Sequence, residues 1–234
     1  MDWTYGELEH AVDESYGKVH ARVWAGIGSC GTWWTGPQRV AIVSHVRGAR
    51  NCELCQRRRS QVSPEALPGE HDGGNTQAEL LSAGAIEAVH RITTDPGRLT
   101  RAFVQATCDD IGEEAYVELA ALVATAVAID GFAEALGADL RALPQPGGGE
   151  PSCRRPDGMG DVGAFVSQAL DKRLANVSRA ASLVPDTAAL WQEVVSQHYS
   201  RGAEFAEAVW QRPLSRPQVE VVAATVSQLN QCFY

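Results

Sequence analysis

Apolar residues recur at helical rather than strand spacing along most of the chain. Leu8, Val12, Val19, Val23, Trp24 and Ile27 mark a helical lead-in within residues 5–34 that ends in the glycine-rich run GIGSCGT. Thr35, Gly36 and Pro37 open the next helix, QRVAIVSHVRGARN, with a capping hydroxyl and a first-turn proline where no backbone N–H is missed. That helix runs into Cys52-Glu-Leu-Cys55, and residues 63–75, with their Pro, Gly and Asn, read as a loop. Helical periods follow over 80–92, 99–107 and 113–136, the last closed by Gly137. Tyr116, Leu119, Leu122, Val123, Val127, Ile129 and Phe132 cover that last helix nearly all round, so it is expected to be the central buried one.

Residues 143–163 break the pattern with PQPGGGEPSCRRPDGMGDVG, which predicts a linker between one unit at 1–142 and another at 164–234. Beyond it the pattern predicts a helix over about 162–183 and another from Pro185 through Trp191, Val194 and Val195 to Trp210. A final amphipathic helix carries Val219, Val222, Val226 and Leu229 and leads to Cys232. No run of alternating strand residues stands out, so the expected fold class is all-α. Setting Cys52 over Cys232, an offset of 180 residues, also aligns Pro37 with Pro217, Gln38 with Gln218, Val46 with Val226 and Thr35 with Ser215. The shared order of cap, proline, apolar helix, polar turn and cysteine reads as two copies of one helical unit.

Composition narrows the function. With 234 residues, 44% of them hydrophobic, the chain can bury an ordinary core. A formal net charge of -9 argues against a phosphate-backbone binder, which needs a basic face to release counterions. The one basic run, Arg57-Arg58-Arg59, reads as a solvated helix face. The acidic start MDWTYGELEHAVDES has no apolar signal core, and the most apolar stretch, 115–129, is interrupted by Glu118, so a cytoplasmic location without membrane or nucleic-acid partners is expected.

Six cysteines are too few for a disulfide framework in a chain of this size. Cys30 stands alone and reads as a small packing residue. Cys52 and Cys55 sit at the predicted start of a helix, where backbone N–H groups and Arg57–Arg59 favour a thiolate, so the pair can cycle between dithiol and disulfide. Two alternatives stay open: inert structural cysteines, and a zinc site. The latter needs a second ligand pair at close spacing, which no other Cys or His pair shows. In the second copy Glu220 precedes Cys232 by twelve residues within VEVVAAT; it reads either as an exposed glutamate or as a carboxylate able to pass a thiol proton.

These residues resemble the AhpD-like alkylhydroperoxidases of the carboxymuconolactone decarboxylase superfamily, whose motif is Glu-x11-Cys-x-x-Cys-x3-His. The resemblance implies an all-α AhpD-like fold of two units, the second incomplete after Tyr234. It also implies a peroxidase or disulfide reductase in which the second cysteine attacks the peroxide and the first resolves the sulfenic acid. In the first copy Cys52 takes the resolving place and Cys55 the attacking one, with Val40 and Arg59 where the glutamate and histidine belong and His45 as a substitute base. In the second, Glu220 and Cys232 match the glutamate and the resolving cysteine, and the attacking position is 235. The implied partners are a hydroperoxide or disulfide substrate, a lipoyl or thioredoxin-like dithiol reductant and further copies of the chain; no dissociable cofactor is implied. The other readings are a helical interaction protein with a relic cysteine pair and a cysteine-independent decarboxylase. Two-unit relatives with selenocysteine at the attacking position suggest that codon 235 is UGA, followed in frame by a histidine codon. Sequencing the gene through that point checks this, and UAA or UAG there removes it.

Overall fold

The structure is a computed structural model describing residues 3–5, 12–71, 80–171, 173, 175–199 and 213–229. Its first half is a run of helices, several of whose starts are set by short polar side chains. Helix α1 (Glu14–Gly28) begins at Asp13, whose carboxylate accepts the Ser15 N–H. Helix α2 (Gly36–Ala49) begins in a capping box between Thr35 and Gln38, and α3 (Glu53–Arg59) begins at Cys52. Ser82 and Thr100 cap α4 (Ala83–Thr94) and α5 (Arg101–Ile111) by accepting N–H groups three residues on. Helix α6 (Glu113–Ala135) ends at Gly137, whose φ of +69° lets the N–H groups of Gly137 and Ala138 turn back to the carbonyls of Glu134 and Ala133.

Helix α6 is the axis of the fold. Leu119, Leu122, Val123, Ala126 and Ile129 are buried, and α2, α4, α5 and α8 (Pro185–His198) pack around it. It is long and apolar enough to cross a membrane by length and composition, but most of it is covered by these neighbours. The fold is all-α, as its pattern predicts, with one minor two-stranded pairing among the described residues: β1 (Met159–Gly160) runs antiparallel to β2 (Gln168–Ala169).

That pairing occupies ground where a helix over 162–183 was expected. Apart from the four-residue turn α7 (Asn176–Arg179), the described residues there are not helical. The apolar side chains Val162, Phe165, Val166 and Leu170 do have near-helical spacing, but Gly163 at φ +84° and Gly158 at φ +72° bend the chain into a hairpin. Residues 143–163 are indeed without helix, yet they are a strap rather than a free tether. Gly147 N–H donates to Gly28 O at 2.8 Å and Cys153 N–H to Thr32 O at 2.9 Å. Leu183, Val184 and Val194 then join the same apolar core as α1, α2 and α6.

The last described helix, α9 (Arg216–Leu229), starts as α2 does. Ser215 donates its N–H and hydroxyl to Gln218 Oε1 at 2.8 and 2.9 Å, and Thr35 does the same to Gln38 Oε1 at 3.0 and 2.9 Å. The two starts aligned by the repeat thus share one hydrogen-bond pattern. Their faces differ: Val40, Ile42, Val43 and Val46 of α2 are buried, whereas Val222, Val226 and Leu229 of α9 are exposed.

Two buried polar groups hold the helices in register. Glu118 of α6 is fully buried; its Oε2 accepts the Trp33 N–H at 2.7 Å, and its Oε1 faces Arg39 Nη1 at 3.5 Å and accepts the Thr187 hydroxyl at 3.3 Å. Burial raises the Glu118 pKa against the opposing pull of Arg39. Gly31 passes so close that a Cβ there would lie 1.8 Å from Glu118 Oε1. On α1, His20 accepts or donates toward Tyr5 Oη at 2.7 Å through Nδ1 and toward His198 Nε2 at 2.6 Å through Nε2. Tyr16 and Phe132 rings close the remaining sides.

Replacing Glu118→Ala leaves the Trp33 N–H and the Arg39 guanidinium buried without their acceptor, so urea unfolding is expected to show a loss of about 3–5 kcal/mol. Burial and the neighbouring His198 lower the His20 pKa to about 4. The unfolded chain then binds the extra proton first, so this stabilisation is complete above about pH 6.5 and is lost as pH falls toward 4. Urea midpoints measured from pH 7 to 4 should fall, and His20→Gln should flatten part of that slope; an unchanged slope would contradict the assignment.

Candidate functional site

Helix α3 brings Cys52 and Cys55 to one place because Cys52 is its first flanking residue and Cys55 lies in its first turn, with Gln56 N–H returning to Cys52 O at 3.0 Å. Both side chains are buried, at 1% and 3% exposure. Leu54 and Leu67 pack beside them, apart from the main core. The side chains that meet the two sulfurs come from farther along the chain. His71 Nδ1 lies 3.4 Å from Cys52 Sγ and 3.5 Å from Cys55 Sγ, and His90 Nδ1 lies 3.3 Å from Cys55 Sγ. All four donor atoms fall within 4.8 Å of one another.

Each imidazole is held from behind. His71 Nε2 bonds Glu87 Oε2 at 2.8 Å, and Glu87 in turn receives Arg58 Nη1 on both oxygens, at 2.7 and 2.9 Å. His90 Nε2 lies 3.3 Å from His45 Nδ1. Burial resists charge on His71, but its hydrogen bonds to Cys55, Glu87 and Cys52 outweigh that and push its pKa up to about 10. Burial would raise Glu87; the hydrogen bonds and charges of His71 and Arg58 overcome it and hold the carboxyl at about 2. His45 is lowered by burial and by the nearby His71.

The segment delivering His71 has little regular structure beyond a 3-10 turn at Pro64–Ala66, and three arginines pin it. Arg58 donates Nε to Leu67 O at 3.0 Å, Arg91 pairs with Glu65 at 3.0 Å, and Arg98 donates Nη1 to Gln61 O at 2.5 Å. Arg98 also reaches the Arg58 and Arg59 carbonyls at 3.3 and 3.4 Å, where the end of α3 needs donors. The basic run is therefore divided: Arg57 and Arg59 are exposed as expected, while Arg58 is turned inward and 8% exposed.

Glu220 is exposed on α9, where it accepts the Tyr199 hydroxyl at 3.2 Å and faces Arg216 at 3.6 Å. Cys232 lies outside the described residues. Val40 is buried in the core, and His45 stands against His90 rather than against a sulfur. His71 and His90 were not among the expected site residues. They lie sixteen and thirty-five residues beyond Cys55, a spacing that no short motif joins. The one sequence signal pointing to them is Glu87-x-x-His90 on a helix, which places a carboxylate and an imidazole on one face. Comparison of the chain with family models, with curated proteins and with solved structures returned no match.

Because Arg58 anchors both the His71-bearing segment and Glu87, Arg58→Ala is expected to cost about 1–3 kcal/mol in urea unfolding. It should also speed amide exchange across residues 60–71 while α2 stays protected; unchanged exchange in that segment would show that the clamp is not Arg58.

Proposed function

We propose that the chain is a thiol-dependent oxidoreductase of the alkylhydroperoxidase type, acting through Cys52 and Cys55. The observation that carries this reading is the row Cys55–His71–Glu87–Arg58, in which a sulfur meets an imidazole backed by an anchored carboxylate. The family motif's glutamate and histidine are absent at positions 40 and 59, and Glu87 and His71 supply the same two groups from α4 and the preceding segment.

In the proposed cycle Cys55, its proton passed to His71, attacks the terminal oxygen of a hydroperoxide. The O–O bond breaks, the alkoxide takes a proton and leaves as an alcohol, and Cys55 becomes a sulfenic acid. Cys52 Sγ then attacks that sulfur; hydroxide leaves as water with the Cys52 proton, and a Cys52–Cys55 disulfide remains. A dithiol of lipoyl or thioredoxin type reduces it by exchange, becoming oxidised itself. Glu220 and Cys232 belong to the same proposal as the corresponding residues of a second unit. A cytoplasmic location supplies the reducing environment that keeps the pair as thiols, and the exposed Val222, Val226 and Leu229 are the surface through which copies of the chain would associate.

Reduced, chelator-treated protein given one equivalent of an alkyl hydroperoxide should lose two hydrogens by mass and two titratable thiols. Cys52→Ser should accumulate a dimedone-reactive sulfenic acid at Cys55, Cys55→Ser should not, and His71→Gln should slow adduct formation roughly 100-fold. No disulfide in the native chain and no adduct in Cys52→Ser would leave the alternative, a helical interaction protein with an inert pair.

A further inference from the structure

We propose that Cys52, Cys55, His71 and His90 together form a tetrahedral site for Zn2+. The four donors are two sulfurs and two ring nitrogens, and their closest S···N separations are 3.3, 3.4 and 3.5 Å. Zinc bonds of about 2.3 Å to sulfur and about 2.0–2.1 Å to nitrogen, set at tetrahedral angles, separate S and N by about 3.5 Å. All four donors lie within 4.8 Å of one another, so the widest pair has at most about 1 Å to close to reach tetrahedral spacing.

What stands behind the donors points the same way. Both imidazoles turn Nδ1 toward the sulfurs and keep Nε2 for a partner: Glu87 at 2.8 Å for His71, and His45 Nδ1 at 3.3 Å for His90. A ligating histidine characteristically donates its other ring N–H to such a group, which sets the tautomer and the ring orientation. With Nδ1 given to the metal, His71 donates Nε2–H to Glu87 and His90 donates Nε2–H to His45, so each ring is satisfied at both ends. Arg58 keeps Glu87 engaged on both oxygens.

The donor set selects the ion. Two thiolates and two imidazoles in a buried pocket suit zinc and exclude Mg2+ or Ca2+, which take oxygen ligands. Two thiolates also balance the ion's charge, so the filled site is neutral where burial would penalise a net charge. With four protein ligands the site is closed, which makes it a structural or regulatory site rather than one with an open position for substrate. Its ligands come from α3, the segment ending at His71, and α4, so the ion ties a region of little regular structure to two helices.

This site uses the sulfurs of the proposed redox pair, and its regulatory meaning rests on that reading: the metal-bound form withholds both thiolates from hydroperoxide. Metal binding itself does not rest on it. Oxidation would consume one hydroperoxide and two protons, form the Cys52–Cys55 disulfide, and release Zn2+, alcohol and water.

The test uses the full chain, reduced and stripped with a chelator, and titrated with Co2+ and then with Zn2+. One equivalent of Co2+ is expected to give the intense visible bands of a tetrahedral ion and thiolate charge-transfer bands in the near ultraviolet. Zn2+ should bleach both at one equivalent. Cys52→Ser and His90→Ala should abolish the tetrahedral spectrum. Glu87→Gln and His45→Phe, which keep all four ligands, should weaken Zn2+ about 10–100-fold. Cys30→Ser and Cys153→Ser should change nothing. A weak octahedral spectrum in the native chain, or a tetrahedral one that survives Cys52→Ser, would overturn the site. If Co2+ binds as expected but the metal-free chain forms neither disulfide nor sulfenic acid, the redox reading fails and the zinc site stands. If metal-free protein reacts with hydroperoxide and Zn2+-loaded protein reacts equally fast, the regulatory role fails.

Discussion

The fold is organised by a carboxylate that has no water to fall back on. Glu118 lies fully buried at the second turn of α6, and its oxygens reach the Trp33 amide, Arg39 of α2 and Thr187 of α8. A buried charge is tolerated only where partners surround it, so the turn before α2, α2 itself and α8 must all converge on one point of α6. Apolar packing alone would let these helices slide along α6, whose apolar surface runs nearly all round it. The carboxylate gives each of them a register. Even the shape of the preceding turn follows from it, because a side chain on Gly31 would displace an oxygen of Glu118.

A second anchored carboxylate does for the site what Glu118 does for the core. Glu87 joins Arg58 of α3 to His71, and His71 to both sulfurs, while Arg91 and Arg98 hold the intervening segment down. A nearly structureless stretch of chain thereby delivers a side chain to a fixed position. Two chemistries follow from the same geometry. With protons on the donors, the arrangement would serve the proposed dithiol chemistry; with the protons displaced by a metal, it would be the proposed four-ligand site. They exclude each other at any instant, since both need the same sulfur lone pairs.

Periodicity made the helices legible, and a capping hydroxyl with a first-turn proline made the start of α2 legible at Thr35; the caps at Ser82 and Thr100 emerge only in the structure. Periodicity misled at residues 162–183, where apolar spacing suited a helix but glycines at positive φ turned the chain into a hairpin. It was silent on the strap at 143–163, because hydrogen bonds such as Gly147 to Gly28 are made by the backbone and leave no mark in side-chain pattern. At the site, Cys52 and Cys55 announced themselves by adjacency. His71 sat within a loop-like composition and His90 within an ordinary helical period, so neither was distinguished from a solvated or packed histidine. A zinc site calls for further ligands at close spacing in the sequence, whereas the side chains that meet the sulfurs are two single histidines from separate elements.

By itself, then, the sequence determined what depends on near neighbours: an all-α chain, the Thr35 start of α2 and the Gly137 close of α6, a buried central helix, and a cysteine pair at the start of a helix. Helical period, capping and the geometry of Cys-x-x-Cys are all settled within a few residues along the chain. Only the tertiary structure decided which side chains the sulfurs face, that Arg58 turns inward while its neighbours do not, and that His45 supports His90. The contacts that the sulfurs and His45 make join residues sixteen to forty-five positions apart, and they are set by how α2, α3 and α4 pack against one another around α6.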